Sequence, residues 1–393
     1  MFSEEERRSL FPVTRSWIYL NHASVGPLPT PVVEAAECYL HRISNGGEAH
    51  WKQTGPLMDD LRGSLARRLR VRSDEIAFTR NTSEGLSLLA YGLDWREGDN
   101  LVLPSIEFPA NVHPWIGLKH RGVETRFVEP RNGRIDVEVL SAAVDARTRV
   151  ISISSVQFFN GFVADLSEIG AFCRSRGILF CVDVTQHLGA LPLDLSGIPV
   201  DFAACGSHKW LMAGEGLGFI FCRSGLAERL RPSNVGWQGV VNWMDFFDRS
   251  CEPKPGALRL ETGNCSAFGL YTLNASLAFF DRFGEVAIAE RVGANATLAL
   301  EEALRRGFRI VTPDTSKRSG IVSFIMPGYD SAVLVETLAG RGVQVVARQG
   351  VMRISPHFYN TADEIHAFFG HLDDLCKTTP SGSSGANASK VLW

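Results

Sequence analysis

Short apolar runs recur along the first half of the chain and predict the strands of one buried sheet. Seven of them lie between about residues 76 and 222, each with the length and the β-branched or aromatic content of a strand buried on both faces. They read "EIAFTR", "NLVLPS", "ETRFVEP", "RVISISS", "ILFCVDV", "VDFAACG" and "LGFIFC".

Longer amphipathic stretches separate several of these runs and predict helices. They read "SEGLSLLAYGL", "FPANVHPWIGLKHRG" and "LSEIGAFCRSRG", and a glycine lies at or near the end of each one. Alternation of strand and helix favours an α/β fold in which a mostly parallel central sheet is sandwiched between helices.

The pattern changes after residue 265, where a long helical run leads to "GIVSFIM", "GVQVVAR", "GVMRISP" and a last helix, "TADEIHAFFGHLDDLCK". We therefore predict a large domain over residues 26–265 and a smaller α+β domain over residues 266–377. Residues 1–25 are expected to pack on the small domain. The polar, Ser/Gly-rich residues 378–393 are expected to form a disordered tail.

Composition argues against several classes of function and adds little about the fold. With 393 residues and a net charge of −3, the chain gives no reason to expect a nucleic-acid or membrane partner. Its eight cysteines are scattered without metal-site spacing, which indicates thiols in a reducing compartment and no metal site. No apolar stretch approaches 18 residues, and the acidic start does not resemble a signal peptide, so we predict a cytoplasmic protein.

Three polar positions follow strands that should end at one edge of the sheet. Asp183 ends "FCVD", Lys209 follows "VDFAACG", and Thr82 and Ser83 open the helix after "EIAFTR". Taken singly, each has an ordinary explanation: a helix cap, a surface lysine and a capping motif. Taken together, they provide a Schiff-base amine, a carboxylate for a cationic ring nitrogen and a phosphate site at a helix start. This set suits a carbonyl cofactor with a pyridine ring and a phosphate.

Motifs over nearly the whole chain resemble the class V aminotransferase family of pyridoxal 5'-phosphate (PLP) enzymes, which have fold type I. The resemblance runs from residues 17–29 to residues 353–365, and its motifs occur in the order of the family. They are "YLNHASVGPLP", "NTSEGL", "SIEFPANVHPW", "VDVTQ", "SHKWL", "RLETGN" and "MRISPHFYNTADEI".

The resemblance implies roles for individual residues around the cofactor. Lys209 would form the internal aldimine, Asp183 would pair with the pyridinium nitrogen, and Gln186 would contact the phenolic oxygen. Thr82 and Ser83 would hold the phosphate, helped by His208 or Ser207. Phe108 would stack on the ring.

Four further roles concern the substrate, the cofactor oxygen and a second subunit. Arg353 would clamp the substrate carboxylate. His22 is a second candidate for substrate binding, although a loop histidine satisfied by protein groups is the more ordinary explanation for it. Gln157 would contact the cofactor oxygen, although Asn160 competes for that role. Asn264, in "RLETGN", would reach the phosphate of the other subunit, which implies a homodimer with shared active sites.

Two departures from the family pattern bear on the reaction. The stretch from Gly342 to Arg353 contains no cysteine where a desulfurase needs its nucleophile, and Gly206 replaces the family serine three residues before the lysine. We therefore expect aminotransferase-type chemistry at the Cα of an amino-acid substrate. A carbon–sulfur lyase or an amino-acid epimerase is the alternative.

Readings outside this class carry less weight. The motif "NTSEGL" is too poor in glycine for the dinucleotide site of a nicotinamide dehydrogenase. A catalytically idle ligand-binding relative is the non-enzyme alternative, and the presence of Lys209, Asp183 and Arg353 argues against it.

Overall fold

A computed structural model describes residues 2–231, 233–314 and 317–378 of the chain. The predicted tail therefore lies, apart from Thr378, outside the described residues. No helix within the described ranges is long and apolar enough to cross a membrane.

The described residues contain thirteen strands in three sheets. Their bounds are β1 Ile18–Tyr19, β2 Ile76–Thr79, β3 Asn100–Pro104, β4 Glu124–Val128, β5 Thr148–Ser154, β6 Leu179–Asp183, β7 Phe202–Gly206, β8 Gly218–Cys222, β9 Arg309–Ile310, β10 Val322–Ile325, β11 Val343–Gln344, β12 Val346–Arg348 and β13 Val351–Ile354.

Twelve α-helices accompany these strands in the same part of the chain. Their bounds are α1 Glu4–Leu10, α2 Thr30–Gly46, α3 Trp51–Leu69, α4 Thr82–Gly92, α5 His113–Ile116, α6 Val137–Ser141, α7 Leu166–Arg176, α8 Ser224–Ala227, α9 Ala267–Asp281, α10 Glu285–Arg305, α11 Ser331–Ala339 and α12 Ala362–Thr378.

The large sheet has seven strands in the order β2-β8-β7-β6-β5-β3-β4. Only β8 runs antiparallel to its neighbours, β2 and β7. Two apolar clusters pack around the large sheet. One includes β6, α3 and α9, and the other includes α4 and the segment around Trp115. The prediction of a mostly parallel sheet between helices is confirmed.

Two details of the predicted elements are wrong for physical reasons. The run "ETRFVEP" forms β4 at the sheet edge, where only Val128 of the strand is buried, because β4 pairs with β3 alone. The predicted helix "FPANVHPWIGLKHRG" is broken into 3₁₀ turns and the four-residue α5. Pro114 lacks the N–H that a continuous helix needs and disfavours helical geometry at the residue before it.

A second group of elements follows α9. Strands β12, β13, β10 and β9 form an antiparallel sheet, which shares an apolar core with α10, α11 and α12. The run "GVQVVAR" is divided at Val345 into β11 and β12, which pair in different sheets. The N-terminal segment reaches this core: β1 pairs in parallel with β11, and Leu20 is one of its buried residues.

A buried ion pair fastens α3 to the segment before α9. The guanidinium of Arg62 binds both carboxylate oxygens of Glu261, at 2.8 and 3.3 Å, and donates to the carbonyl of Ile76 at 2.6 Å. Glu261 also accepts from the backbone N–H of Phe78 at 2.8 Å. The pair thus ties β2 to both neighbouring segments in a place where neither charge reaches water.

Removal of the Arg62 guanidinium should therefore be costly. We expect Arg62→Ala to lower the free energy of unfolding by about 3–5 kcal/mol, because Glu261 would be left charged and buried. The exposed pair of Arg131 with Glu138 offers a matched control, and Arg131→Ala should cost no more than about 1 kcal/mol. Urea unfolding followed by circular dichroism measures both, and equal losses would contradict this account.

Candidate active site

A cavity of about 220 Å³ opens at the carboxyl ends of the central strands. Asp183 ends β6, Lys209 follows β7 by three residues, and α4 begins three residues after β2. The sequence predicted that these positions share one edge of the sheet, and all three regions contribute to the cavity wall. The lining residues are Ala23, Ser24, Asn81, Thr82, Ser83, Phe108, Ala110, Ser154, Phe158, Asp183, Thr185, Gln186, His208, Lys209, Arg348 and Arg353.

Lys209 presents a buried amine to this cavity. Its side chain is shielded from water, and burial lowers the pKa of the amine to about 8, although the charge of Asp183 acts in the opposite direction. The amine nitrogen lies 4.8 Å from the centroid of the Phe108 ring. The amine can therefore lose its proton close to neutral pH, as a nucleophilic or proton-transferring lysine must.

The backbone around Lys209 is held by a close crossing of the N-terminal segment. The N–H of Gly26 donates to the carbonyl of His208 at 2.8 Å. A Cβ atom at Gly26 would lie only 2.0 Å from the carbonyl oxygen of Lys209, so no other residue fits at this crossing. The segment before α2 thus fixes the backbone that carries the amine.

Asp183 supplies a buried carboxylate on the same wall. Burial raises its pKa, while hydrogen bonds from Thr185 and the charge of Lys209 oppose the rise. The backbone N–H of Thr185 donates to Oδ1 at 2.9 Å, and the described residues offer the carboxylate no ion pair within 4 Å. A cationic group inside the cavity would satisfy it.

The start of α4 forms the third part of the wall. Asn81 caps the helix by accepting from the N–H of Glu84 at 2.9 Å. Thr82 and Ser83 follow in the first turn, where backbone N–H groups and the helix dipole favour an anion. The Thr82 hydroxyl lies 2.9 Å from that of Thr185, which links this helix start to the end of β6.

The histidine next to Lys209 lies close to that helix start. A Cβ atom at Gly206 would lie 3.2 Å from two ring atoms of His208 and from Oγ1 of Thr82. The glycine that replaces the family serine therefore leaves space that the His208 ring occupies. Burial, and then the charge of Lys209, lowers the pKa of His208.

Two arginines border the opposite part of the cavity. Arg353, on β13, is buried and donates to the carbonyl of Phe158 at 2.7 Å and to the Ser24 hydroxyl at 2.8 Å. Its Nε is buried without a hydrogen-bond partner. Burial, followed by the charge of Arg348, lowers the pKa of Arg353 to about 9.

Sequence reasoning missed Arg348, although the chain carries a signal for it. β12 and β13 form an antiparallel hairpin, in which Arg348 directly precedes the turn at Gln349 and Gly350 and Arg353 lies further along β13. Val346 is directly opposite Arg353, so Arg348, two residues further along, lies on the same face. An arginine at this spacing across a short hairpin indicates a second cation beside the first.

Glu107 was also missed, and it organises the wall from behind. Its carboxylate accepts from the Ser154 N–H at 2.7 Å, the Ser154 hydroxyl at 2.5 Å, Gln157 Nε2 at 2.5 Å and Asn111 Nδ2 at 3.0 Å. Burial raises the pKa of Glu107 to about 7 against these hydrogen bonds. Glu107 thereby joins the end of β5 to the loop that carries Phe108.

Several predicted site residues are not among those lining the cavity. Gln157 is buried behind the wall and donates to Glu107. The Ser207 hydroxyl bonds to the carbonyls of Leu217 and Gly214 at 2.7 and 3.0 Å. Asn264 accepts from the amide of Gln238 at 3.3 Å, away from the cavity of its own chain.

His22 and Gln186 are engaged by protein groups. His22 is fully buried, with Nδ1 3.0 Å from the carbonyl of Ser355 and Nε2 2.9 Å from the hydroxyl of Tyr359, and it does not line the cavity. Gln186 does line it, but its amide donates to the carbonyl of Ala23 at 2.9 Å and accepts from the indole of Trp210 at 2.7 Å. Neither side chain is free to turn to a ligand without breaking these bonds.

Comparison with known proteins identifies the family. The model of the aminotransferase class V family matches residues 18–368, so the chain belongs to this family. A probable cysteine desulfurase of Methanothermobacter thermautotrophicus is 30% identical, with 95% of this chain and 98% of the relative covered. The isopenicillin N epimerase of Streptomyces clavuligerus is 31% identical, with 94% and 98% covered.

Solved structures agree on the fold. A cysteine desulfurase from Thermococcus onnurineus superimposes with a TM-score of 0.87 at 24% identity, over 96% of this chain and 99% of the other. The cystine C-S lyase C-DES gives a TM-score of 0.86 at 24% identity, over 93% and 99%. The predictions of a class V enzyme, of fold type I and of PLP as cofactor are confirmed.

The cavity fits this cofactor on its own geometry. It offers a buried amine of lowered pKa, a buried carboxylate without an ion pair and a helix start with free backbone N–H groups. These are the groups that a carbonyl, a protonated pyridine nitrogen and a phosphate require. None of the lining residues is a cysteine.

The raised pKa of Glu107 predicts a pH-dependent stability. The folded protein keeps the proton that the unfolded chain loses above pH 4.5, so the contribution of Glu107 falls as the pH rises from 4.5 through about 7. We expect the stability of Glu107→Gln, relative to the original protein, to rise by about 3 kcal/mol over this window.

Urea unfolding at several pH values between 4.5 and 8 measures this difference. Glu6→Gln, at an exposed glutamate of α1, is the control for loss of a surface carboxylate. Parallel stability profiles for Glu107→Gln and the original protein would show that Glu107 does not titrate in this range.

Proposed function

We propose that the protein is an aminotransferase-type enzyme in which Lys209 carries PLP and moves the proton at the Cα of an amino-acid substrate. The observation that carries this proposal is the buried Lys209 amine, whose pKa is lowered to about 8 in a cavity shared with Asp183 and Arg353. When bound, PLP supplies an electron sink for negative charge at Cα. The residues of the chain then decide which proton moves.

Other residues that line the cavity would make the remaining contacts with the cofactor. Asp183 would hold the protonated ring nitrogen and thereby preserve the electron sink. Thr82, Ser83 and the first turn of α4 would bind the phosphate, with His208 beside them. Phe108 would cover the ring with an apolar face and supply no proton.

Arg353 would bind and orient the substrate. Its guanidinium is already fixed by the carbonyl of Phe158 and the hydroxyl of Ser24, so little freedom is lost when a carboxylate binds. Contacts of Gln186, Gln157, Ser207 and His22 with cofactor or substrate stay predictions. In each case the groups that bond them in the structure would have to be released.

The proton-transfer groups favour chemistry on one face of the substrate. Among the lining residues, the amine of Lys209, the imidazole of His208 and the carboxylate of Asp183 are the groups suited to exchange a proton with the substrate, and the last two are assigned to the cofactor. A single mobile base suits a proton shift or an elimination, whereas a two-base epimerase needs a second donor at Cα. A carbon–sulfur lyase is thus the second candidate.

Substitution of Lys209 tests the proposal directly. We expect Lys209→Ala to lose the yellow absorption band of the lysine-linked cofactor and to lower turnover at least about 10²-fold, the low end for loss of a general base. Lys119→Ala, at an exposed lysine, should keep both. An unchanged band in Lys209→Ala would refute the assignment.

Product analysis separates the candidate reactions. With a panel of amino acids and a keto-acid acceptor, transamination consumes the acceptor in step with the donor. Release of ammonia and a keto acid without an acceptor would replace the proposal with a lyase. Loss of optical rotation alone would replace it with an epimerase.

We also propose a homodimer. Among the described residues between β8 and α9, six large apolar side chains are exposed, including Met244 at 64%, Phe246 at 69% and Phe247 at 86%. An apolar surface of this kind indicates a protein contact, and it belongs to the same connection as Asn264. Asn264 would then reach the phosphate site of the partner.

We also propose a cytoplasmic location, which the eight free cysteines support. The domain limits at residues 25, 265 and 377 stay part of the proposal.

Charge on this surface should separate the subunits. We expect the double variant Phe246→Asp, Phe247→Asp to have the mass of one chain, 43.2 kDa, in light scattering, and the original protein to have twice that mass. Val286→Asp, on the exposed face of α10, is the control and should stay dimeric. A monomeric original protein would contradict the proposal.

A further inference from the structure

The charges around the cavity do not balance. Lys209, Arg348 and Arg353 all line it, whereas Asp183 is the only carboxylate among the lining residues. Arg353 is buried, so its charge is poorly screened by water. The cavity as a whole therefore attracts anions.

The proposed function accounts for every charge except one. PLP would engage Lys209 and Asp183, and its phosphate would lie at the start of α4. The α-carboxylate of an amino acid would bind Arg353. Arg348 then has no partner, and the described residues offer it no ion pair.

The position of Arg348 is set by the hairpin. Gln349 and Gly350 both have left-handed φ angles, 50° and 79°, which makes the turn between β12 and β13 tight. Arg348 is exposed at the mouth of the cavity, on the same face as the buried Arg353. The two positive charges repel each other, which raises the electrostatic free energy of the site, and an anion bound between them would lower it.

We propose that Arg348 binds a second anionic group on the substrate, so that the enzyme selects amino acids whose side chain ends in an acidic group. This inference rests on the proposed function, because it assumes that Arg353 holds the α-carboxylate. The class includes carboxylates and sulfinates, which the planar guanidinium binds through two hydrogen bonds. A neutral side chain would leave Arg348 in water and gain nothing from it.

Binding of unreactive diacids tests the second cation without turnover. Succinate and glutarate are compared by calorimetry with their monoamides, succinamate and glutaramate, on the PLP-loaded enzyme at constant ionic strength. We expect each diacid to bind about 10- to 100-fold more tightly than its monoamide, the ratio expected for one charge-assisted pair.

Substitution assigns this preference to Arg348. In Arg348→Gln the ratio of diacid to monoamide affinity should fall to within about 2-fold, because the charge-assisted pair with the second carboxylate is removed. The affinity for the monoamides should change by no more than about 2-fold, because they form no such pair. Arg348→Lys should keep part of the preference, because its charge remains without the planar fork. Arg341→Gln, at an exposed arginine after α11, controls for the change in net charge and should behave as the original protein.

The outcomes distinguish this inference from the proposed function. If the original protein binds diacid and monoamide equally, or if Arg348→Gln keeps the preference, the inference is overturned while a yellow, lysine-linked enzyme still supports the function. If Lys209→Ala keeps the cofactor band, the proposed function itself is refuted, whatever the result for Arg348. Retention of that band by Arg348→Gln shows that the variant is folded.

Discussion

The site depends on positive charge that is held out of water. Lys209 and Arg353 are both buried, and neither forms an ion pair with a carboxylate of the described chain. Desolvation lowers the pKa of each group, and the charge of Asp183, which is itself desolvated, is the main influence that opposes this shift at Lys209. Such a cavity is stabilised when a ligand brings anions to the arginines and the helix start and a cation to the aspartate. The chemistry of a phosphorylated pyridine aldehyde meets these demands together.

The scaffold keeps these groups in place through close backbone contacts and a buried network. Gly26 lets the N-terminal segment cross the backbone of Lys209, and Gly206 leaves room for the ring of His208. Glu107 gathers four donors behind the wall and connects the end of β5 to the loop of Phe108. The site is therefore built where the large sheet, the N-terminal segment and the β12–β13 hairpin meet.

Local pattern was enough to predict the central sheet and the edge at which the site lies. Each strand from β2 to β8 is a short apolar run, and parallel strands bring their carboxyl ends to one edge, so Asp183, Lys209 and Thr82 could be grouped without coordinates. Arg348 was not recognised from the sequence because the register of the hairpin determines that it lies beside Arg353. Glu107 could not be recognised because three of its four donors come from the end of β5 and the residues after it, 47 or 50 positions away in the sequence.

The partners of His22 and Ser207 could not be predicted for a related reason. Their partners, such as Ser355 and Tyr359 for His22, are hundreds of residues away or belong to a turn whose path no motif reveals. Family resemblance predicted a set of residues near the cofactor. It did not indicate which of them are already satisfied by protein groups.

Reduction with borohydride followed by peptide mapping tests the central claim most directly. The PLP-loaded protein is reduced, digested and analysed by mass spectrometry, so that the lysine joined to the cofactor is read from the sequence. This account predicts a phosphopyridoxyl group on the peptide that contains Lys209. Its absence from that peptide, or its presence on another lysine, would contradict the account.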